Sequence, residues 1–247
     1  MENKLKELKT RLAEIADLNA TSALLGWDQQ TYMPPGGAEG RGEQLATISS
    51  LSHTKFTSPE IGQLLEDLQA FAEELDPDSN DARLIRVTKR DFDKLTKVPT
   101  SYFAELAKLT TAAHPAWESA REDNDYGKFQ PYLEQIITMR QRYAEFFAPY
   151  DHIYDPLLDD FEPGMKTADV KDIFDTLRPQ QVALVQAIAE SEQIDDSFLH
   201  LHYDEDKQWA FGEEVITKYG FDWKRGRQDK SVHPFTTSFG IDDVRII

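Results

Sequence analysis

Apolar residues in the first thirty positions recur at steps of three and four. Leu5, Leu8, Leu12, Ile15 and Leu18 form one stripe with Lys and Glu between them, and the stripe continues through Ala23 and Leu24 to Trp27. That period places all of them on one face of a helix. The chain therefore opens with a long amphipathic helix whose apolar face needs a neighbour. Met33-Pro-Pro-Gly-Gly stops it. The same period predicts a second helix over 38–51. A third is opened by Ser58 as N-cap, with Pro59 in the first turn and Glu60 near the positive end of the dipole, and runs to 75. A charged helix over 81–97 carries Leu84, Ile85, Thr88, Phe92 and Leu95 on one side, and Val98-Pro99-Thr100 breaks it. Thr100 or Ser101 caps the next, which passes Leu106 and Leu109 to reach Trp117 and Ala120. After a turn at Asp123-Asn-Asp-Tyr-Gly, the segment 129–147 places Tyr132, Ile136, Met139, Tyr143 and Phe147 on one stripe.

Asp155-Pro-Leu-Leu-Asp-Asp-Phe-Glu-Pro-Gly reads as irregular. Thr167 is expected to cap the next helix, with Val170, Ile173, Phe174 and Leu177 on its apolar face. Pro179 kinks or divides it before the pattern resumes to Ala189. Residues 197–201 form a short turn or helix, and Asp204 or Asp206 starts another that ends at Tyr219-Gly220. From Phe221 the texture changes to short aromatic and β-branched runs punctuated by Gly226, Ser231, Pro234 and Gly240. That predicts a few strands and a hairpin around Phe239-Gly-Ile-Asp242. No repeat and no Gly/Ser-rich linker interrupts the series. The expectation is a mainly α fold: one elongated helical array over 1–247, helical to about residue 220, with a small β element over 221–247.

Composition narrows the function classes. Hydrophobic residues at 40% and charged residues at 29% suit a folded globular chain. A net charge of −18 disfavours nucleic acid and anionic lipid as partners, because both need cations to replace counterions or meet the surface potential. The acidity serves solubility or steers a cationic ligand. There are no cysteines, which excludes disulfides and thiolate metal sites and suits a reducing cytoplasm. The N-terminus has no secretory apolar region, and no apolar run approaches a membrane span.

The chemistry-bearing residues are sparse. None of the six histidines is followed by Glu, so the His-Glu-x-x-His zinc helix is absent. His200-Leu-His202 has ligand-pair spacing for a strand, but no third ligand is evident, so no metal site is assigned. Asp159, Asp160 and Glu162 could work as acid and base; adjacent acids before Pro163-Gly164 are also ordinary turn and cap residues. Trp27, Trp117, Trp209 and Trp223 read as core anchors. Gly26 beside Trp27 suggests a bend or a close helix approach. There is no phosphate-binding loop and no Gly-x-Ser-x-Gly elbow. His233-Pro-Phe differs in kind. Pro234 pushes His233 toward an extended backbone, which can hold the imidazole toward a cleft and a reacting oxygen. Asp243 and Arg245, two apart, share one face of a strand, where Arg245 pairs with Asp243 or reaches a substrate carboxylate. The apolar run 244–247 at the end of the chain, without a turn signal, is expected to continue into a longer protein.

Several blocks together resemble the carboxypeptidase Taq family of thermostable-carboxypeptidase-type metallopeptidases. They are Leu25-Gly-Trp-Asp-Gln-Gln-Thr-Tyr-Met-Pro34 with Gly36-Gly-Ala-Glu39, Gln44-Leu-Ala46, Trp117-Glu-Ser-Ala-Arg121, Tyr154-Asp-Pro-Leu-Leu-Asp-Asp-Phe-Glu-Pro-Gly164 and His233-Pro-Phe235. The resemblance implies a helical gluzincin (neurolysin-like) fold with a groove between helical walls. It implies a zinc-dependent enzyme, with cobalt as a possible substitute metal, that removes C-terminal residues from peptides with broad specificity, and a homodimer. Within it, His233, Pro234 and Phe235 match the His-Pro-Phe motif. Asp243 and Arg245 match the start of Asp-x-Arg-x-Thr, with Ile247 where Thr is expected. These five would be wall or substrate-binding residues. The zinc ligands and general base would follow Ile247, so this chain alone would bind no metal and be inactive. The rival reading is a non-catalytic helical binding or dimerisation scaffold.

Overall fold

A computed structural model describes residues 1–247. The chain divides into two compact units: Met1–Phe146 together with Arg225–Ile247, and Phe147–Lys224. No helix is long and apolar enough to cross a membrane.

The first unit contains α1 (Glu2–Thr31), α2 (Ala38–Phe56), α3 (Pro59–Glu74), α4 (Asn80–Leu95), α5 (Thr100–Glu122) and α6 (Gln130–Glu145). The opening stripe does what its spacing demands. Leu5, Leu8 and Ile15 are buried against Ile61, Leu64, Leu65 and Leu68 of α3 and Ile85 of α4. Each such side chain contributes about 1.5–3 kcal/mol when taken fully from water. Ser58 caps α3, its hydroxyl accepting from the Ile61 amide at 3.4 Å, and Ser79 caps α4 by accepting from Ala82 at 3.3 Å. Helices α2 and α5 lie close because their contact is built from small residues: Gly42, Ala46, Thr111 and Ala113 are buried. A Cβ placed on Gly42 would sit 3.7 Å from the Thr111 Cβ. Against α6, Tyr102 of α5 is fully buried, stacks 5.6 Å from Tyr143, and donates its hydroxyl to the Met139 carbonyl at 3.1 Å.

Helix α2 runs five residues beyond its expected end at 51, and the added turn carries the buried His53. One imidazole nitrogen meets the Leu95 carbonyl at 3.1 Å and the other the Thr100 hydroxyl at 2.9 Å. The carbonyl can only accept, so Nε2 carries the proton and Nδ1 accepts from the hydroxyl. Gly26 was expected to mark a bend or a close approach. Instead α1 passes through it unbroken, and a Cβ there would meet nothing within 4 Å.

The sheet consists of β1 (Gly226–Gln228), β2 (Thr236–Gly240) and β3 (Asp243–Ile246) in the order β1-β3-β2. The expected hairpin is present as antiparallel β2 and β3, with an irregularity between Ser238 and Gly240. Strand β1 adds a parallel pairing to β3.

The second unit contains α7 (Asp155–Leu158), α8 (Thr167–Glu190), a 3-10 turn at Ser197–His200 and α9 (Glu205–Lys218). Two expectations are corrected here. Pro179 does not divide α8, which is continuous from Thr167 to Glu190. Thr167 is the first helical residue and does not cap. Its amide and hydroxyl both donate to the Asp155 carboxylate, at 2.8 and 2.6 Å, while Asp169 accepts from the Lys166 amide at 3.1 Å. With the His152 amide also donating, these hydrogen bonds hold the Asp155 carboxyl down at about 2. Asp159 is a turn residue, accepting from the Gly164 amide at 2.8 Å, where the glycine takes a φ of +82°. Helix α8 buries no side chain.

Two outcomes follow. Gly26→Ala should raise stability by about 1 kcal/mol in urea denaturation, since it removes backbone freedom without a clash; a loss of stability would contradict an open site. Burial pushes the His53 imidazole below its ordinary value of 6.5, with the Leu95 hydrogen bond acting the other way. The unfolded chain then binds the proton first, so stability is full above 6.5 and falls as pH drops through that value. The urea midpoint should be lower at about pH 5.5 than at about pH 7.5, and His53→Gln should weaken that dependence. An unchanged dependence in the variant would contradict the assignment.

Candidate active-site wall around the small sheet

Side chains two apart along a strand share a face, and so do register partners. Arg227 of β1 is opposite Arg245 of β3, which is opposite Thr237 of β2. The two guanidinium groups on that face meet the end of α1. They lie 5.4 Å (Arg227) and 5.2 Å (Arg245) from the Trp27 ring centre. Arg245 also lies 5.1 Å from Phe239, and Arg227 5.6 Å from Tyr32. Trp27 is buried and packs edge-on to both Tyr32 and Phe239. The negative faces of the rings attract the cations most strongly where water is excluded.

Each arginine has its own carboxylate. Arg245 pairs with Asp243, as their spacing predicts, and its Nη1 also donates to the Val244 carbonyl at 3.2 Å. Arg227 holds the buried Asp229 through two nitrogens, Nε at 2.7 Å among them, and the Tyr32 hydroxyl donates to the same carboxylate. Burial pushes the Asp229 carboxyl up, but hydrogen bonds from Arg227 and Tyr32 outweigh it and hold the group below its ordinary range. Tyr32 is pushed up, first by the hydrogen bond that its protonated hydroxyl donates to Asp229, then by partial loss of water and by the charge of that carboxylate. Two donors in the stack, Trp27 Nε1 and Arg245 Nε, are buried without a hydrogen-bond partner.

The His-Pro-Phe segment is held from α5. Arg121 donates to the Val232 carbonyl at 2.6 Å, and Trp117 lies edge-on to the His233 ring at 6.5 Å. The Ser231 hydroxyl donates to the His233 carbonyl at 2.6 Å. The Ile247 amide donates to the Phe235 carbonyl at 3.0 Å, tying the segment to the end of β3. His233 itself is exposed, with Nδ1 2.8 Å from the Pro234 carbonyl. That carbonyl accepts, so Nδ1 carries the proton and Nε2 faces outward. In the neutral ring Nε2 is an acceptor, and it donates to a reacting oxygen only as the imidazolium. Pro234 is exposed and Phe235 half-buried.

The structure thus joins blocks far apart in sequence. The segment around Trp27 and Tyr32 meets Arg245, and Trp117 with Arg121 meets His233. Arg41, largely buried, links α2 back to α1 through the Leu25 carbonyl and the Asp28 carboxylate, the latter at 2.6 Å. Sequence reasoning gave no role to Tyr32 and Arg121, although both lie in blocks that carry the family resemblance, and it missed Arg227 and Asp229. For the last two a signal existed, since they have the same two-residue spacing that drew attention to Asp243 and Arg245.

The residues of this chain do not make a donor set for a divalent ion: no three His, Asp or Glu side chains group to hold one. His200 and His202 are not a strand pair. They are exposed at and just after a 3-10 turn, and His200 lies 3.5 Å from Asp196. Trp223 is 39% exposed and so is no core anchor; its indole donates to the Thr217 hydroxyl at 2.7 Å.

A family model described as carboxypeptidase Taq (M32) metallopeptidase matches residues 7–247. The chain is 34% identical over 243 residues to thermostable carboxypeptidase 1 of Thermus thermophilus, covering 94% of this chain and 48% of that protein. It is 31% identical over 242 residues to carboxypeptidase 1 of Bacillus subtilis, covering 98% and 48%. Among solved structures, the BsuCP crystal structure superposes with a TM-score of 0.92 at 30% identity, over 99% of this chain and 49% of that one. The M32 carboxypeptidase from Deinococcus radiodurans R1 superposes at 0.77 with 36% identity, over 99% and 48%. The chain spans about half the length of the curated relatives it matches.

A double-mutant cycle tests the stack. Trp27→Leu and Arg245→Met should couple by about 1–2 kcal/mol in urea denaturation. Additive losses would show that the two residues are only neighbours.

Proposed function

The chain belongs to the carboxypeptidase Taq (M32) metallopeptidase family, and from that premise we propose that it forms one wall of the peptide groove of a zinc-dependent carboxypeptidase of broad specificity. The observation that carries this reading is the convergence of Trp117, Arg121 and the His233-Pro-Phe segment beside a sheet anchored on Trp27. Family membership implies a divalent metal; zinc is the proposed ion, with cobalt as a possible substitute. Because this chain supplies no donor set, the ion and the water it would activate are assigned to polypeptide outside these residues.

What this chain contributes is positioning. His233 stands exposed with Nδ1 committed to the Pro234 carbonyl, so Nε2 is the atom presented to a substrate. Pro234 stiffens the segment, and Phe235 is tied to β3 by its carbonyl. Arg245, neutralised by Asp243 and pressed on Trp27, fixes the edge of the wall. A peptide carboxylate would reach it only by displacing Asp243. The substrates are peptide C-termini, the assembly is proposed to be a homodimer, and the compartment is proposed to be the cytoplasm. The alternative, a non-catalytic helical binding or dimerisation scaffold, draws on the exposed apolar face of α8.

The test is metal content and C-terminal trimming of peptides by protein expressed from the whole native gene. One zinc per chain and trimming activity are expected, and His233→Ala should lower kcat/KM by about tenfold, the scale of one lost hydrogen bond to the acceptor Nε2. The 247-residue chain by itself should bind no zinc and leave peptides intact. Trimming by that chain alone, or full activity of the His233 variant, would contradict the proposal.

A further inference from the structure

Helix α8 has 24 residues and is about 36 Å long at 1.5 Å per residue. At 100° per residue, Val170, Ile173, Phe174, Leu177, Leu184, Val185 and Ile188 fall within a sector of about 120°. They form a continuous apolar face, not scattered surface residues. Yet α8 buries none of its side chains, and the six from Ile173 onward are each 42–61% exposed. Its own unit supplies no cover: across Phe147–Lys224 the buried residues are Asp155 and Pro156, neither on α8. Isolated helices are marginal in water, and most of their stability in proteins comes from burying such a face. A patch of this size on a single chain marks an interaction surface.

The comparisons bear on what could cover it. The fold of this chain recurs over 99% of its length, α8 included, in the M32 carboxypeptidase from Deinococcus radiodurans R1, of which it accounts for only 48%. Three relatives show the same proportion, with 48% of each matched. These proteins thus carry, beside the same helices, as much polypeptide again. We propose that the apolar face of α8 is a docking surface for that other half of the M32 fold, and that the two halves assemble even as separate chains. The proposal rests on the family assignment but not on catalysis.

The experiment mixes the full 247-residue chain with the separately expressed remainder of Bacillus subtilis carboxypeptidase 1, meaning the part outside the matched stretch. Light scattering reads the mass, and hydrogen exchange reads the α8 amides. A one-to-one complex is expected, with α8 exchange slowed at least about tenfold on mixing. The double variant Phe174→Asp with Leu184→Asp should lose the complex. Ile137→Asp on the exposed side of α6 should retain it. Helicity by circular dichroism confirms that each variant is folded, and exchange in the unmutated chain reports on α8 without any substitution. Dimerisation of the chain alone with α8 protected would give the surface to a second copy and overturn the proposal. Unchanged mass and unchanged α8 exchange on mixing would overturn it too. Because neither readout uses metal or peptide hydrolysis, a complex without trimming would count against the catalytic reading alone, and trimming by the native protein without α8 docking against this one alone.

Discussion

Two guanidinium groups against one indole hold the small sheet to the end of the first helix. Trp27 can do this because α1 runs unbroken through Gly26 and delivers the ring to the sheet face where Arg227 and Arg245 are register partners. Two like charges side by side on adjacent strands would repel. Asp229 and Asp243 reduce that cost by pairing with one arginine each, leaving the stack nearly neutral, with Asp229 buried, Arg245 largely so, and Arg227 and Asp243 half exposed. The arrangement is not free of penalty. Trp27 Nε1 and Arg245 Nε lack partners, and a buried unsatisfied donor costs about 1–3 kcal/mol.

From this anchor the placement of the sheet and of the segment before it follows. Strand β3 is fixed by Arg245, β2 pairs with β3, and the His233-Pro-Phe segment leads into β2. Arg121 and Trp117 then meet the segment from α5, so His233 is approached from a helix on one side and from the sheet on the other. The α2–α5 contact, close because Gly42 and Ala46 are small, sets where α5 lies relative to the helix that follows Trp27. The core of α1, α3 and α4 is at the other end of α1 and makes that helix a stiff support.

How much of this was legible depends on the kind of signal. The stripe from Leu5 to Ile15, the Ser58 cap and the β2–β3 hairpin were visible because periodicity and turn chemistry act locally. Strand β1 was not, since Gly-Arg-Gln has no apolar alternation and exists as a strand only through its parallel pairing with β3. Thr167 looked like a cap but was claimed by Asp155, twelve residues earlier. Gly26 looked like a packing residue and is open. The His-Pro-Phe and Asp243/Arg245 motifs lie on the small sheet and the segment that leads into it. Their partners Tyr32, Arg121 and Asp229 came only with the fold, because nothing local links residue 32 to residue 229. The apolar stripe of α8 was equally plain, but its exposure could not be read from periodicity, which says that a face needs cover without saying what covers it.

Trp27 anchors the sheet and is not merely one more core residue. Site-resolved hydrogen exchange on Trp27→Leu tests this most directly. Amides of the sheet ladder, such as Val244 and Ile247, should lose protection, while those around Leu8, Leu65 and Ile85 keep theirs. Uniform loss across both regions, or an unchanged sheet, would contradict it.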